Sequence, residues 1–472
     1  MKKTKIIATI GPASSDKEVL RQMFLEGLNV CRLNFSHGAY EDHLKAINTI
    51  RELNEEMNLH IAILVDLQGP KIRVDEMENN GVELVKDAII TISTDKRIGT
   101  KEHISLNYKD LPKDIKPGEK ILLDDGKLAI EIVSTNGVDS MQGKVIHGGI
   151  LSSKKGVNLP NTKISLPSLT KKDKEDLEFA LDHNVDWVGL SFVRNARDII
   201  ELKHIIAQRD VKAKVIAKIE KPEAIQDIDE IIAESDGLMV ARGDLGVEVP
   251  YQNVPLIQKM LIKKCMEQAK PIIVATQMME SMITNASPTR AEVNDVANAV
   301  MDGADAVMLS GETSVGKYPI ETIRTMSNIV KEMETFNGIY YKEVIPAKNH
   351  PRFISDSICF NACRLEQRVE ANAIITMTFS GYTAFKIASQ RPKAPIYVFT
   401  SNEQILSQLN LIWGVKAFYY DKHISTDHTI ADIKYILKKE GLLHQGDLVI
   451  NIATIPLEED GKTNMLKLSY VD

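Results

Sequence analysis

Eight short apolar, β-branched runs alternating with helically spaced segments constrain the fold of this chain more than any other feature. The runs cover 4–10, 28–35, 61–67, 186–193, 214–220, 237–244, 271–277 and 305–310. Amphipathic segments over 16–25, 41–53, 172–183, 223–234 and 290–301 lie between them. Strands that alternate with helices form parallel βαβ units, and eight such units close a (β/α)8 barrel. The expected class is therefore α/β, with a TIM barrel at its centre.

Run starts are mostly about 23 to 34 residues apart, except between residues 61 and 186. The excess there, about 95 residues, is too long for a structureless loop and predicts an inserted domain. Its texture differs: 88–93, 120–123, 127–133 and 143–147 read as short strands split by Asn-Gly, Pro-Gly and Asp-Asp-Gly turns, as in a small all-β module. After residue 345 a third unit follows, with strands expected over 373–378, 396–400, 416–420 and 448–453 and helices between them. We place the barrel at 1–70 with 167–345, an inserted β-barrel lid at 71–166 and a C-terminal α/β regulatory domain at 346–472.

A length of 472 residues suits about three such cores. The 58 Lys+Arg against 65 Asp+Glu leave a net charge of −7, which argues against a nucleic-acid or membrane-surface binder. Cys31, Cys265, Cys359 and Cys363 form no C-x-x-C pair, so neither a disulfide framework nor a zinc site is indicated. Cys359 and Cys363, four apart, read as a buried stripe of a helix. The basic start is followed by only a short apolar stretch before Gly11-Pro12, and no run approaches a membrane span. A cytoplasmic protein is expected.

In a barrel, catalytic groups come from the C-terminal strand ends. Run two ends in Cys-Arg-Leu-Asn-Phe-Ser-His, with Arg32, Asn34 and Ser36 on one face by the two-residue period. Run three ends at Asp66, run five at Lys218 and Glu220, run six at Arg242 and Asp244, run seven at Thr276 and Gln277, run eight at Ser310 and Glu312. Charges at the tips of apolar strands are costly to bury unpaired, and six such ends converging on one mouth read as a site. Glu220 and Asp244 are hard oxygen ligands suited to Mg2+. Arg32, Arg73 and Lys218 are cations suited to phosphoryl or carboxylate oxygens. Together they suggest phosphoryl transfer. Gly311-Glu-Thr-Ser-Val-Gly-Lys317 has P-loop spacing, but Tyr318 stands where Ser/Thr would hold Mg2+ and Pro319 interrupts the helix, so a P-loop is rejected.

These residues carry a resemblance. Lys5-Ile-Ile-Ala-Thr-Ile-Gly-Pro-Ala-Ser, Arg32-Leu-Asn-Phe-Ser-His-Gly, Lys155-Gly-Val-Asn-Leu-Pro, Lys218-Ile-Glu, Met239-Val-Ala-Arg-Gly-Asp-Leu-Gly, Ala275-Thr-Gln-Met-Met-Glu-Ser-Met and Met308-Leu-Ser-Gly-Glu-Thr resemble the pyruvate kinases, in order and over essentially the whole chain. The resemblance implies transfer of phosphate from phosphoenolpyruvate to ADP, giving pyruvate and ATP in glycolysis. It implies Mg2+ or Mn2+ on Glu220 and Asp244, and Lys218 on the phosphoryl group in flight, with Arg32 holding that group from the other side. It further implies the Gly243 and Asp244 N–H groups with Thr276 on the substrate carboxylate, and Thr276 with a water on the route of the enolate's proton. Asn34, Phe35, Ser36 and His37, with Arg73 and Lys155 from the closing insert, would contact the nucleotide. A homotetramer is implied likewise.

Two departures qualify this. Many relatives bind K+ through Asn, Ser, Asp and Thr oxygens beside a Glu. Here Asn34, Ser36 and Asp66 stand, but Leu67 replaces the Thr and Lys71 the Glu. Activity without K+ is expected, because the Lys71 ammonium supplies the charge. In the C-terminal unit, Thr378-Phe-Ser-Gly-Tyr-Thr383 resembles the family's allosteric sugar-phosphate loop, through Thr378, Ser380, Gly381 and Thr383. Gly461-Lys-Thr-Asn464 resembles its second loop, beside Glu458, Glu459 and Asp460. Those acids would repel a second phosphate, so a monophosphate effector (sugar phosphate or nucleotide) or none is expected. The competing readings are a Mg-dependent barrel lyase acting on pyruvate-like substrates and a non-catalytic metabolite sensor.

Overall fold

The eight runs fold as strands Lys5–Thr9, Val30–Asn34, Ala62–Asp66, Trp187–Leu190, Lys214–Ile219, Gly237–Ala241, Ile272–Ala275 and Ala306–Leu309. In the computed structural model, which describes residues 2–209, 211–422, 425–455 and 462–472, they make one closed parallel barrel. Closure is direct: Lys5 pairs in register with Ala306. Both faces of each strand are apolar, as parallel strands require. Ile7, Val30, Leu64, Trp187, Ile216 and Met239 share one buried cluster. Their neighbours Ile6, Cys31, Ile63, Val65 and Val188 pack instead with helix residues such as Leu20, Ile47, Leu177 and Val296.

Local signals fix where helices start. Thr170 and Thr289 make capping boxes with Asp173 and Glu292 at the heads of Lys171–Asp182 and Arg290–Asp302. The helix expected over 223–234 is instead two, Pro222–Gln226 and Ile228–Glu234. The break falls at Asp227, whose carboxylate accepts from the Ala196 N–H at 2.8 Å and so heads the neighbouring helix Ala196–Ala207. A second correction concerns run six. The strand stops at Ala241, and Arg242–Glu248 is a short helix, so Arg242 and Asp244 are not related by the strand period. Likewise run two stops at Asn34, leaving Ser36 in a turn. The P-loop-like stretch is one helical turn, Gly311–Ser314, with Pro319 opening the next helix.

The insert forms a six-stranded sheet in the order Val157–Asn158, Lys120–Leu123, Leu128–Thr135, Ser140–His147, Ile89–Ser93, His103–Ser105. A separate pair, Gly81–Leu84 with Gly149–Ser152, lies beside it. The C-terminal sheet runs Val415–Tyr419, Ile396–Thr400, Ala373–Met377, Leu448–Ala453, Met465–Tyr470, the last antiparallel. This unit is riveted to the base of the barrel. The buried Arg391 donates to Gly303 O at 2.7 Å and Asp305 Oδ2 at 2.9 Å, and Lys5 Nζ donates to Val415 O at 2.7 Å. All four cysteines are free and buried, Cys359 and Cys363 on helix Phe353–Val369. Among the described residues no helix is long and apolar enough to cross a membrane.

Candidate active site

Three of the predicted strand ends meet in one buried charge network. Asp66 Oδ2 accepts from Arg32 Nε at 2.8 Å and Nη2 at 2.6 Å. Its Oδ1 faces Lys218 Nζ at 3.1 Å, an ion pair without hydrogen-bond alignment. Lys218 Nζ also lies 3.0 Å from Glu220 Oε1 and donates to Ser191 Oγ at 2.6 Å. Strand register makes this possible, since Asn34 and Gly189 both pair with Asp66.

The charges are tuned by one another. Burial pushes the Asp66 carboxyl up, and Lys218 and Arg32 outweigh that, leaving it below the usual carboxylate range. Burial pulls the Lys218 ammonium down, and Asp66 and Glu220 outweigh that, so it stays firmly charged. Glu220 goes the other way. Burial pushes it up, Lys218 only partly offsets this, and Asp244 adds to it. Glu220 is thus an acid short of positive charge, with the Asp244 carboxylate close enough to add to the deficit. Among the described residues no group of three or more His, Cys, Asp or Glu is placed to hold a metal ion. Two carboxylates suit Mg2+, which keeps waters and substrate oxygens in its shell.

Thr276 and Gln277 follow strand seven with φ of 70° and 54°, a left-handed conformation that is strained for a β-branched residue. It brings Thr276 Oγ1 to the Gly243 N–H, which donates to it at 2.7 Å, while the hydroxyl donates to Ala275 O at 2.6 Å. The Gly243 N–H is therefore already partnered. Lys71, Asp125, Arg242, Gly243, Asp244 and Gln277 line an open cleft of about 630 Å3. Lys71 Nζ lies 3.9 Å from Asp244 Oδ1, whereas the neighbouring Leu67 is buried at 1% exposure.

Other predicted residues are held elsewhere. Phe35 is buried, stacked on His43 at 4.3 Å, and its carbonyl accepts from Lys172 Nζ at 2.8 Å. Asn34 Oδ1 accepts from the Ser36 N–H at 3.2 Å, and the exposed His37 offers its carbonyl to His43 Nε2 at 3.0 Å. Arg73 donates to Lys154 O at 3.0 Å, and Lys155 pairs with Asp124 at 2.8 Å, both within the insert. Arg242 forks onto Asp295, with both contacts at 2.7 Å. Glu312 accepts from the Met279 and Ser310 N–H groups at 3.2 and 2.6 Å. In the C-terminal unit Thr378 Oγ1 accepts from the Gly381 N–H at 3.0 Å, and the buried Thr383 hydroxyl meets Thr463 Oγ1 at 2.9 Å. Only Ser380 keeps a largely exposed hydroxyl, accepting a long 3.5 Å bond from Tyr382 N–H. Residues 456–461, including Glu458, Glu459, Asp460 and Gly461, lie outside the described residues.

Sequence reasoning missed the neutral partners. Thr9 Oγ1 accepts from Arg32 Nη1 at 2.8 Å, Ser191 anchors Lys218, and the Phe192 N–H donates to Glu220 Oε2 at 2.8 Å. Thr9 and Ser191 stand at the ends of strands one and four, the signal that an inspection of every strand end would have used.

A firmly charged lysine and an arginine converging beside an acidic pair, at the open end of a (β/α)8 barrel, define a phosphotransferase, whose chemistry consists of placing and neutralising phosphoryl charge. Residues 1–323 match the family described as pyruvate kinase, barrel domain, and residues 356–469 match pyruvate kinase, alpha/beta domain. The pyruvate kinase of Geobacillus stearothermophilus is 44% identical over all of this chain and 80% of its own length. That of Clostridium acetobutylicum is 41% identical over the full length of both. A crystal structure of a pyruvate kinase from Cryptosporidium parvum superposes with a TM-score of 0.94 at 36% identity, covering 100% of this chain and 96% of that one. The chain belongs to the pyruvate kinase family. Its substrates are phosphoenolpyruvate and ADP, its chemistry uses a divalent metal, and the lyase and sensor readings are not favoured.

Proposed function

We propose that Lys218 stabilises the phosphoryl group between phosphoenolpyruvate and ADP, with Arg32 gripping the same group from the other side. The observation that carries this reading is the Lys218 ammonium, held charged at the barrel mouth within 3.1 Å of Asp66 and 3.0 Å of Glu220. Glu220 and Asp244 would hold Mg2+ or Mn2+, which would supply positive charge to neutralise substrate oxygens. The substrate carboxylate takes the Gly243 and Asp244 N–H groups, replacing Thr276 Oγ1 as the acceptor of the Gly243 N–H, and is bound by the Thr276 hydroxyl as well. That hydroxyl and a water relay a proton to the enolate, the hydroxyl regaining from the water the proton it gives, so that the proton comes from solvent. Asn34, Ser36 and His37 contact the nucleotide from the barrel, and Arg73 and Lys155 do so from the insert when it closes and excludes competing water. The insert spans 71–166, between the barrel at 1–70 with 167–345 and a regulatory unit at 346–472. We place the enzyme in the cytoplasm, as a homotetramer.

Lys71 makes K+ dispensable in this reading. Its ammonium lies beside Asp244, where relatives with a Glu at this position would need a bound cation, and Leu67 offers no ligand oxygen. The 378–383 loop, through Thr378, Ser380, Gly381 and Thr383, takes a monophosphate effector or none.

The test is a coupled pyruvate assay with ADP, divalent metal and KCl omitted in turn, alongside Lys218→Met. Activity should require ADP and the divalent ion but not KCl. Lys218→Met should lose about 10³-fold in kcat, the scale of removing one group that stabilises transition-state charge. Pyruvate formed at the full rate without ADP would overturn the assignment.

A further inference from the structure

We propose that Asn158, Glu248 and Lys221 form a buried latch that sets the inserted domain over the barrel mouth, making Asn158 and Glu248 positioning residues for nucleotide use. Lys221 Nζ donates to Glu248 Oε1 at 2.7 Å, and Asn158 Nδ2 donates to the same oxygen at 2.9 Å. All three are buried, at 6%, 4% and 8% exposure for Lys221, Glu248 and Asn158. They come from three segments. Lys221 follows Glu220 directly. Glu248 closes the helix Arg242–Glu248, whose first turn carries Gly243 and Asp244. Asn158 lies on Val157–Asn158, the strand through which the chain leaves the insert, paired with Lys120–Leu123. One carboxylate oxygen therefore joins the insert to both segments that carry the acidic pair.

Packing alone does not call for this arrangement, because apolar residues of similar volume serve a buried contact at least as well as an ion pair. Glu248 Oε2, moreover, is buried with no hydrogen-bond partner. Glu248 also lines a cavity of about 20 Å3, room for one water, together with Lys71, Phe192 and Asp244. The same helix is met a second time by the insert: a Cβ on Gly126 would lie 3.5 Å from Val247 Cγ1. The insert thus rests on the helix that presents Gly243 and Asp244, and the Asn158–Glu248 bond fixes where it rests.

The latch presupposes that the insert closes on the nucleotide, as proposed above. The experiment uses the full-length enzyme with Asn158→Ala, Asn158→Asp, Glu248→Gln and, as a control on the lid itself, Arg73→Ala. KM for ADP, KM for phosphoenolpyruvate and kcat are measured for each. Loss of one hydrogen bond to a carboxylate should raise KM for ADP about tenfold in Asn158→Ala, with KM for phosphoenolpyruvate little changed. Asn158→Asp should be worse than Asn158→Ala, because it sets a second carboxylate against Glu248. A space-filling role predicts the reverse order, and that order would overturn the latch. Equal losses in kcat and both KM values, or an unchanged KM for ADP in both Asn158 variants, would overturn it too. Should Glu248→Gln fail to fold, the two Asn158 variants decide the matter alone. If Arg73→Ala raises KM for ADP and the Asn158 variants do not, only the latch fails. If none of them does, the lid fails with it.

Discussion

Replacing Lys71 by Glu, together with Leu67→Thr, should convert the enzyme into one that needs K+. The structure sets the size of the effect. Lys71 Nζ and Asp244 Oδ1 are 3.9 Å apart, and their side chains are 32% and 30% exposed. Unit charges at about this distance interact by roughly 1 kcal/mol in water and about 4 kcal/mol near a protein surface. With nearly a third of each side chain in solvent, screening brings the value towards the lower end, about 1–2 kcal/mol. Reversing the charge removes that attraction and adds a comparable repulsion. The expected cost is about 2–4 kcal/mol, or roughly a 30- to 900-fold fall in kcat/KM without KCl. Leu67→Thr restores an oxygen beside Asp66, so KCl should recover most of the loss in the double variant and much less in Lys71→Glu alone. The assay is pyruvate formation at saturating divalent metal in tetramethylammonium buffer with and without KCl, with thermal melts to show that both variants fold. A double variant that stays equally active in both buffers would refute the reasoning, as would wild-type activity that depends on KCl.

Three further outcomes follow from the same geometry. Asp66→Asn leaves Arg32 and Lys218 short of their shared counter-charge, and breaking a buried pair in this way costs about 3–5 kcal/mol; kcat should fall at least 10²-fold, and unaltered kinetics would count against the network. Thr276→Val removes the hydroxyl that meets the Gly243 N–H. It should slow solvent exchange of the pyruvate methyl protons by about 10²-fold, whereas an unchanged exchange rate would remove Thr276 from the proton route. Asp186 reaches the surface at its edge, but its carboxyl is enclosed and accepts from the Ile63 N–H at 2.7 Å; burial pushes it up to about 7. A carboxyl raised in the folded state leaves stability intact below its ordinary range near 4 and costs stability as pH climbs through 7. Asp186→Asn, which keeps an acceptor for that N–H, should therefore raise Tm by a few degrees at pH 8 and by nothing at pH 4, and a gain independent of pH would contradict the shift.

The barrel was legible because parallel strands bury both faces and so read as apolar runs, and because a βα repeat has a length that an insertion visibly breaks. Met465–Tyr470 was not, because an antiparallel edge strand half open to solvent carries no such run. At the mouth, formal charge was the readable signal, and it was ambiguous one residue at a time. Arg32, Arg242, Glu220 and Glu312 all follow apolar strands, and nothing in one dimension separates them. What separates them is the partner. Arg242 is taken up by the carboxylate fork of Asp295, and Glu312 by two backbone N–H groups and, among the described residues, by no ion pair. Both are satisfied where they stand. Glu220 has one N–H and shares Lys218 with Asp66, so its charge is under-compensated, and Arg32 shares Asp66 with the same lysine. A group whose partner is itself shared can be recruited by a substrate or a metal at little cost, whereas a group with a private partner cannot. By that criterion we assign Glu220 and Arg32 to the proposed chemistry and Glu312 and Arg242 to the scaffold, a division that depends on contacts 34 and 53 residues apart in the chain and so appears only once the barrel has closed.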